Sequence, residues 1–179
     1  MGNASYQGIQ RKNLINYPNI RKMTTLKTPA AEAQMKIRKP IATVFQAFVD
    51  PAITTQFWFT KSSGILEEGK TFIWEWEMYG ITWKVNVKEI VNNQRIVLDE
   101  FPAPTTIEFN FKTLSDGFTY VTVKQYGFKE TGDDLLEKIK DATGGWTTVL
   151  DGAKAFLEYH IHLNLIADKF PKELSNHGQ

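Results

Sequence analysis

The sequence predicts an α+β domain in which an antiparallel meander is covered by a long C-terminal helix, and three observations carry that reading. Short alternating runs joined by tight turns follow one another from about residue 62 to residue 126, which is the pattern of hairpin-connected strands rather than of a parallel sheet. A helical repeat of apolar residues then occupies the last part of the chain. Four of the five tryptophans fall between positions 58 and 83, and their spacing puts several on one sheet face. Phe72, Trp74, Trp76 and Met78 share one side of a strand, while Ile73, Glu75 and Glu77 take the other. Each large ring buries roughly 150–250 Å², so such a face presents roughly 800 Å², more than the roughly 300–600 Å² that a monomer usually exposes in one patch. Something must cover it, and the long helix is the natural cover.

The elements follow in order. A strand is expected from about Ala30 to Lys39, ended by Pro40, which suits the first position of a helix. Val44, Phe45, Phe48 and Val49 recur at helical spacing after it. Asp50-Pro51 then supplies an N-cap and a first-turn proline for a second short helix, ending near Trp58. Strands are expected near 62–67, 70–78, 81–91, 95–101, 105–114 and 118–126, with Ser115-Asp116-Gly117 as a clear hairpin turn and Met78-Tyr79-Gly80 as another. A polar stretch with Asp133, Asp134 and Glu137 leads to a helix from Gly145 to Phe170, on the order of 35–40 Å long and stopped by Pro171. Its apolar stripe is Trp146, Val149, Leu150, Ala153, Phe156, Leu157 and Ile161. His160 and Asn164 fall within that stripe, whereas His162 points away.

At 179 residues, with 42% hydrophobic and 23% charged residues, the chain reads as one soluble globular domain with a substantial core. No apolar run approaches the roughly 18 residues of a membrane span, and no signal-peptide core is present. Zero cysteines exclude disulfides and thiolate chemistry and fit a cytoplasmic setting. Residues 1–39 carry eight Lys/Arg against the single acid Glu32, a charge of +7, and the other 140 carry 13 basic and 19 acidic groups, a charge of −6. Residues 1–24 are therefore expected to be a basic, flexible extension, with the domain at 25–171 and a short tail at 172–179. Tyr6 stands where a myristoylation signal wants Ser or Thr.

Gly64-Ile-Leu-Glu-Glu-Gly69-Lys70-Thr71 matches the phosphate-binding loop pattern letter for letter, but that loop must open a helix. Here Thr71 runs into an alternating strand, and Glu67 and Glu68 would oppose a triphosphate, so a hairpin explains both glycines. His160 and His162 lie about 200° apart on a helix and do not share a metal ion. No catalytic triad signature is visible. Neither a cofactor, nor a metal, nor a nucleic-acid partner is implied. Glu100 shares a strand face with Ile96 and Leu98, and Gln125 shares one with Val121 and Val123, so both direct polar groups inward, where a carboxylate must be paired, solvated or protonated.

The order strand, two helices, antiparallel strands, long C-terminal helix resembles the helix-grip fold of the START/SRPBCC superfamily, known from the Bet v 1-like proteins. The segment Pro40–Pro51 looks like that family's strand exit and first helix, and Trp58-Phe59 like its Trp-Phe signature. Gly69-Lys-Thr-Phe72, Lys124–Phe128 and Gly145-Trp146 with Leu150 are similar to its hairpin, last strand and helix start. Together they resemble the branch of homologues of the activator of the heat-shock-protein-90 ATPase. The resemblance implies a curved sheet of about seven strands wrapped around the helix, enclosing a cavity that in many members takes hydrophobic or amphipathic molecules. The family often has an aromatic where Glu100 stands and a histidine where Gln125 stands, so the polarity of this pocket is its own.

The leading expectation is a lipid-, aromatic- or polyketide-like ligand held by walls of Trp58, Phe59, Trp74, Trp76, Trp83, Trp146 and Leu150. Glu100, Gln125 and His160 would orient it. Two alternatives stand beside this. One is a cyclase-like or hydrolytic enzyme using Glu100 or His160 as acid or base; the other is a chaperone-associated interaction module.

Overall fold

A computed structural model describes residues 28–101, 105–171, 173 and 174. The expectation for the 1–24 extension, and that for the tail apart from residues 173 and 174, lie outside the described residues. The elements are β1 (Ala30–Ile37), α1 (Ile41–Val49), α2 (Pro51–Thr54), β2 (Lys61–Ser62), β3 (Thr71–Trp76), β4 (Ile81–Val91), β5 (Arg95–Phe101), β6 (Thr106–Thr113), β7 (Thr119–Tyr126), α3 (Gly132–Tyr159) and α4 (Leu165–Lys169). The strands form one antiparallel sheet in the order β1-β7-β6-β5-β4-β3-β2. The long first-to-last crossover pairs β1 with β7, and every other neighbour is sequential. In β4 the register with β5 shifts between Val87 and Glu89, a bulge of the kind that bends a strand and increases its twist.

One face of this sheet is the core. Phe72, Trp74 and Trp76 of β3, Val85 and Val87 of β4, Ile96 and Leu98 of β5, and Ile107, Phe109 and Phe111 of β6 are all buried, as strict alternation requires. α1 closes one end of that face: its Phe45 ring meets Phe111 edge-on at 5.2 Å, and Phe48 lies 5.3 Å from Phe109. α2 starts as its sequence demands, with the Asp50 side chain accepting a hydrogen bond from the Ala52 amide and Pro51 in the first turn. The helix itself ends at Thr54. Hydrogen-bonded turns, including Trp58 N–H to Thr54 O at 3.1 Å, carry the chain on to Trp58.

Two expected strands are shorter than their alternation suggests. Of the 62–67 region only Ser62 lies in a strand, where with Lys61 before it the chain pairs with β3 at Trp74 and Glu75. Beyond Ser63 the chain leaves the sheet, because buried Leu66 is drawn to α1, where its amide donates to Val49 O at 3.1 Å. The hairpin after it needs Gly69 at φ +78° and runs into β3, so the phosphate-loop pattern is a strand connection. β3 stops at Trp76, since Glu77–Tyr79 form a 3-10 turn closed by Gly80 at φ +62°, and Met78 is therefore off the strand face.

The long helix differs most from expectation. α3 begins at Gly132 rather than Gly145, with Asp133 and Asp134 in its first turn, where carboxylates favour the positive end of the helix dipole. Gly144 and Gly145 continue the helix instead of starting it. It ends at Tyr159, because His160 adopts the left-handed conformation (φ +57°). The His160 amide donates to Phe156 O at 2.8 Å, the single bond of a left-handed helix cap. Trp146, Val149, Leu150, Ala153 and Leu157 are buried as expected, but Ile161 lies outside the helix and is exposed. Asn164, also left-handed, precedes the separate α4. Among the described residues no helix is long and apolar enough to cross a membrane.

Candidate functional site

Between the inner sheet face and the middle of α3 lies a cavity of about 640 Å³. α3 presents Lys138, Asp141, Ala142, Gly145, Trp146 and Val149 to it, a run at three- and four-residue spacing that belongs to one helix face. That stripe is charged at the mouth and aromatic at depth. Gly145 meets nothing within 4 Å where a Cβ would stand, so the glycine that looked like a helix start instead leaves room in the wall.

The aromatic wall is a continuous ring system. Trp58 packs on Trp74 at 4.8 Å and edge-on against Trp146 at 5.4 Å, and Trp76 meets Trp83 edge-on at 4.9 Å. Trp58, Trp76, Trp83 and Trp146 line the cavity, whereas Phe59, Trp74 and Leu150 do not. These three lie one layer behind, in the packed core. Phe59 stacks on Trp74 at 4.8 Å with planes 18° apart, and the buried Trp74 indole N–H has no hydrogen-bond partner among the described residues. They support the wall without facing the cavity.

The polar part of the cavity comes from β5, from β7 and from Thr105 just before β6, the strand between them. Leu98 pairs with Ile107, so Glu100 and Thr105, each two residues nearer the hairpin, face one another on the inner side. Gln125 pairs with Ile107 from β7 and joins them. Thr105 Oγ1 donates to Glu100 Oε2 at 2.9 Å, and Gln125 Nε2 donates to the same oxygen at 3.1 Å and to Thr105 Oγ1 at 2.8 Å. Trp146 Nε1 donates to Gln125 Oε1 at 2.8 Å, which links the sheet cluster to α3. The reading of Glu100 and Gln125 as inward-facing groups therefore holds, and at 8% exposed Glu100 does not reach water like an ordinary strand-end residue.

Burial raises the Glu100 pKa above the ordinary carboxylate value of 4.5, against opposing effects of the Thr105 hydrogen bond and the Lys138 charge. A carboxyl whose pKa is raised by folding stabilises the native state below its unfolded value, and that contribution is lost as pH rises through the folded value. At neutral pH the charge thus weakens the fold. Glu100→Gln keeps an acceptor for Thr105 and Gln125 and removes the charge, so it is expected to stabilise the protein and raise its Tm at neutral pH. The difference from wild type should vanish below about pH 4.5. Paired melting curves across pH check this, and a stability gain that persists in acid would contradict it.

His160 does not join the cluster. As the residue that ends α3 it is exposed, its ring 5.9 Å from Phe156, and it does not line the cavity. The expected helical position failed because the helix stops one residue earlier. His162, expected to point away, lies against Gln56 O and Phe156. No group of three His, Asp or Glu side chains placed to hold a metal occurs among the described residues.

The break after Tyr159 instead brings α4 over the mouth. Ile166 and Phe170 line the cavity, held there by Tyr79, whose hydroxyl donates to Phe170 O at 2.7 Å and lies 3.2 Å from Ile166 O. Lys169 Nζ reaches Gly144 O at 2.9 Å and Thr148 Oγ1 at 3.0 Å, tying α4 to α3. Thr105, Tyr79 and this strap escaped the sequence reading. Thr105 was findable, since hairpin pairing of the 95–101 and 105–114 strands sets it opposite Glu100. The strap had no comparable signal.

A seven-stranded antiparallel sheet gripping a long C-terminal helix, with two short helices after the first strand and a cavity between, defines a helix-grip domain of the Bet v 1-like class. The chain belongs to the family described as "Activator of Hsp90 ATPase homolog 1-like protein", whose model matches residues 38–158, within the START/SRPBCC superfamily. Among solved structures, protein SSP2350 from Staphylococcus saprophyticus is 30% identical, with a TM-score of 0.67 over 75% of this chain and 95% of that one. The Aha1 dimer from Colwellia psychrerythraea is 18% identical, with a TM-score of 0.62 over 73% of this chain and 96% of that one. DynU16, from the dynemicin biosynthetic locus, is 14% identical, with a TM-score of 0.66 over 75% of this chain and 49% of that one. At these lower identities the likeness concerns the fold alone. No functionally curated protein matches the chain.

Proposed function

We propose that this protein binds a hydrophobic or amphipathic small molecule in the cavity between its sheet and α3. The observation that carries the reading is the cavity itself. Its volume of about 640 Å³ falls within the roughly 300–1,000 Å³ of small-molecule sites, which are mostly apolar with a few convergent polar groups. Here four tryptophans form much of the wall, and Glu100, Thr105 and Gln125 converge at one place. The flat, rigid rings favour an aromatic or polycyclic ligand over a flexible chain.

The neutral fluorescent probe N-phenyl-1-naphthylamine tests this. It is expected to show a saturable, one-to-one rise in emission with the wild-type protein. Ala142→Trp, which fills the cavity from α3, should abolish that rise while the protein still melts cooperatively. Absence of saturable binding, or equal binding by the Ala142→Trp variant, would remove the proposal. One observation favours a second reading, acid–base chemistry on the bound molecule: Glu100 lines the cavity with a raised pKa. Mass spectrometry of a bound polycyclic ketone after incubation separates the two, since an unchanged molecule supports binding alone.

A further inference from the structure

The donors and acceptors of the polar cluster are unequally used, and this limits what the cavity accepts. Trp146 Nε1–H needs an acceptor and finds Gln125 Oε1, which fixes the orientation of that side-chain amide. Gln125 Nε2 is directed at both Glu100 Oε2 and Thr105 Oγ1, and the single hydroxyl hydrogen of Thr105 goes to Glu100 Oε2. Each donor atom of the cluster is directed at another member of it. Glu100 Oε1 takes no hydrogen bond among the described residues, is not among the buried unpaired atoms, and belongs to a side chain that lines the cavity. As a carboxylate, Glu100 therefore offers the cavity a free acceptor at Oε1.

Charge points the same way. Glu100 is the one buried charged residue that lines the cavity. The other ionisable groups on the cavity, Lys129 and Glu130 after β7 and Lys138 and Asp141 on α3, balance in sign and stand at the more exposed mouth. We infer that the cavity selects lipophilic molecules bearing a hydrogen-bond donor, most strongly a protonated amine, and seats that donor on Glu100 Oε1. A fatty acid or other lipophilic carboxylate meets a like charge there and an acceptor where it needs a donor. The inference rests on the small-molecule reading of the cavity and adds the class of ligand.

Isothermal titration at neutral pH with four matched probes decides it: 1-naphthylmethylamine, 1-naphthalenemethanol, 1-methylnaphthalene and 1-naphthoate. The expected order of affinity is amine, alcohol, hydrocarbon, carboxylate, with the amine at least about tenfold tighter than the hydrocarbon, as a charge-assisted hydrogen bond allows. In Glu100→Gln the amide oxygen takes over the bonds from Thr105 and Gln125 and turns an NH₂ group toward the cavity. The amine should then lose its advantage and 1-naphthoate should gain, with 1-methylnaphthalene binding unchanged as the check on folding. Equal affinities in wild type, or tightest binding of 1-naphthoate, would overturn donor selection while leaving the cavity reading intact. No binding of any probe would overturn the cavity reading and this inference with it. If the variant does not fold, the wild-type order alone decides.

Discussion

Replacing Trp146 by alanine is expected to lower stability by about 3–5 kcal/mol, the range for deleting a buried aromatic side chain. Trp146 is only 4% exposed, and its ring is the junction of the structure. It packs edge-on against Trp58 at 5.4 Å and Phe109 at 5.6 Å, while its indole N–H donates to Gln125 at 2.8 Å. Truncation opens a void between α3 and the sheet and leaves the Gln125 carbonyl without its donor. In urea unfolding the midpoint should fall by roughly 1–3 M with little change in slope. Trp146→Phe separates the two effects. It keeps much of the ring contact and loses the hydrogen bond, and should cost about 1–3 kcal/mol, as expected for an unpaired buried polar group. A loss below about 1 kcal/mol for the alanine variant would mean that α3 is not fastened to the sheet through this residue.

Gly152→Val is the second large effect, and its sign opposes helix propensity. Glycine in a helix interior is less favourable than alanine by about 0.8–1.0 kcal/mol, so propensity alone predicts a gain from almost any replacement. At Gly152, however, a Cβ would stand 2.9 Å from the Phe57 carbonyl oxygen and 3.3 Å from Phe57 Cβ. The first is backbone and cannot swing aside. A branched side chain must push α3 away from the turn after α2, at a cost of about 1–3 kcal/mol or more for overpacking. Gly145→Ala on the same helix is the control. It meets open space and should stabilise by up to about 1 kcal/mol. Thermal melts of both variants read the contrast, and movement in the same direction would show that propensity rather than packing governs α3.

Fold and site were legible in the sequence to different depths. The sheet was readable because a period of two leaves no choice of face, so the inward placement of Trp74, Trp76, Glu100 and Gln125 followed from their neighbours alone. The ends of α3 were not readable in the same way. Gly144-Gly145 has the composition of a break yet stays helical, because the helix is packed on both sides of it. Tyr159-His160 has no glycine to announce a stop, yet the chain turns left-handed there. Propensity is a weak local preference that tertiary contacts override, and both errors lie where it was the only guide. His160 left the site for this reason, and Thr105 entered it through pairing between strands that had been read separately. Phe59, Trp74 and Leu150 show a further limit: alternation identifies the buried face but not whether a buried ring borders a void or another ring.

For the ligand proposed above, the strap formed by α4 would separate how fast the cavity exchanges its contents from how tightly it holds them. Ile166 and Phe170 border the cavity at its mouth, while the polar cluster and the tryptophan wall border it at depth. The hydroxyl of Tyr79 and the ammonium of Lys169 fasten the strap through backbone oxygens, so under that reading their strength would set how often it lifts rather than what the interior recognises. Local openings of this kind draw on a small fraction of the global stability. A molecule that fits the interior well can therefore have a residence time governed by a short helix that barely touches its recognised group, and entry and escape would be slowed together. Control of timing and control of choice would then lie in different parts of the chain.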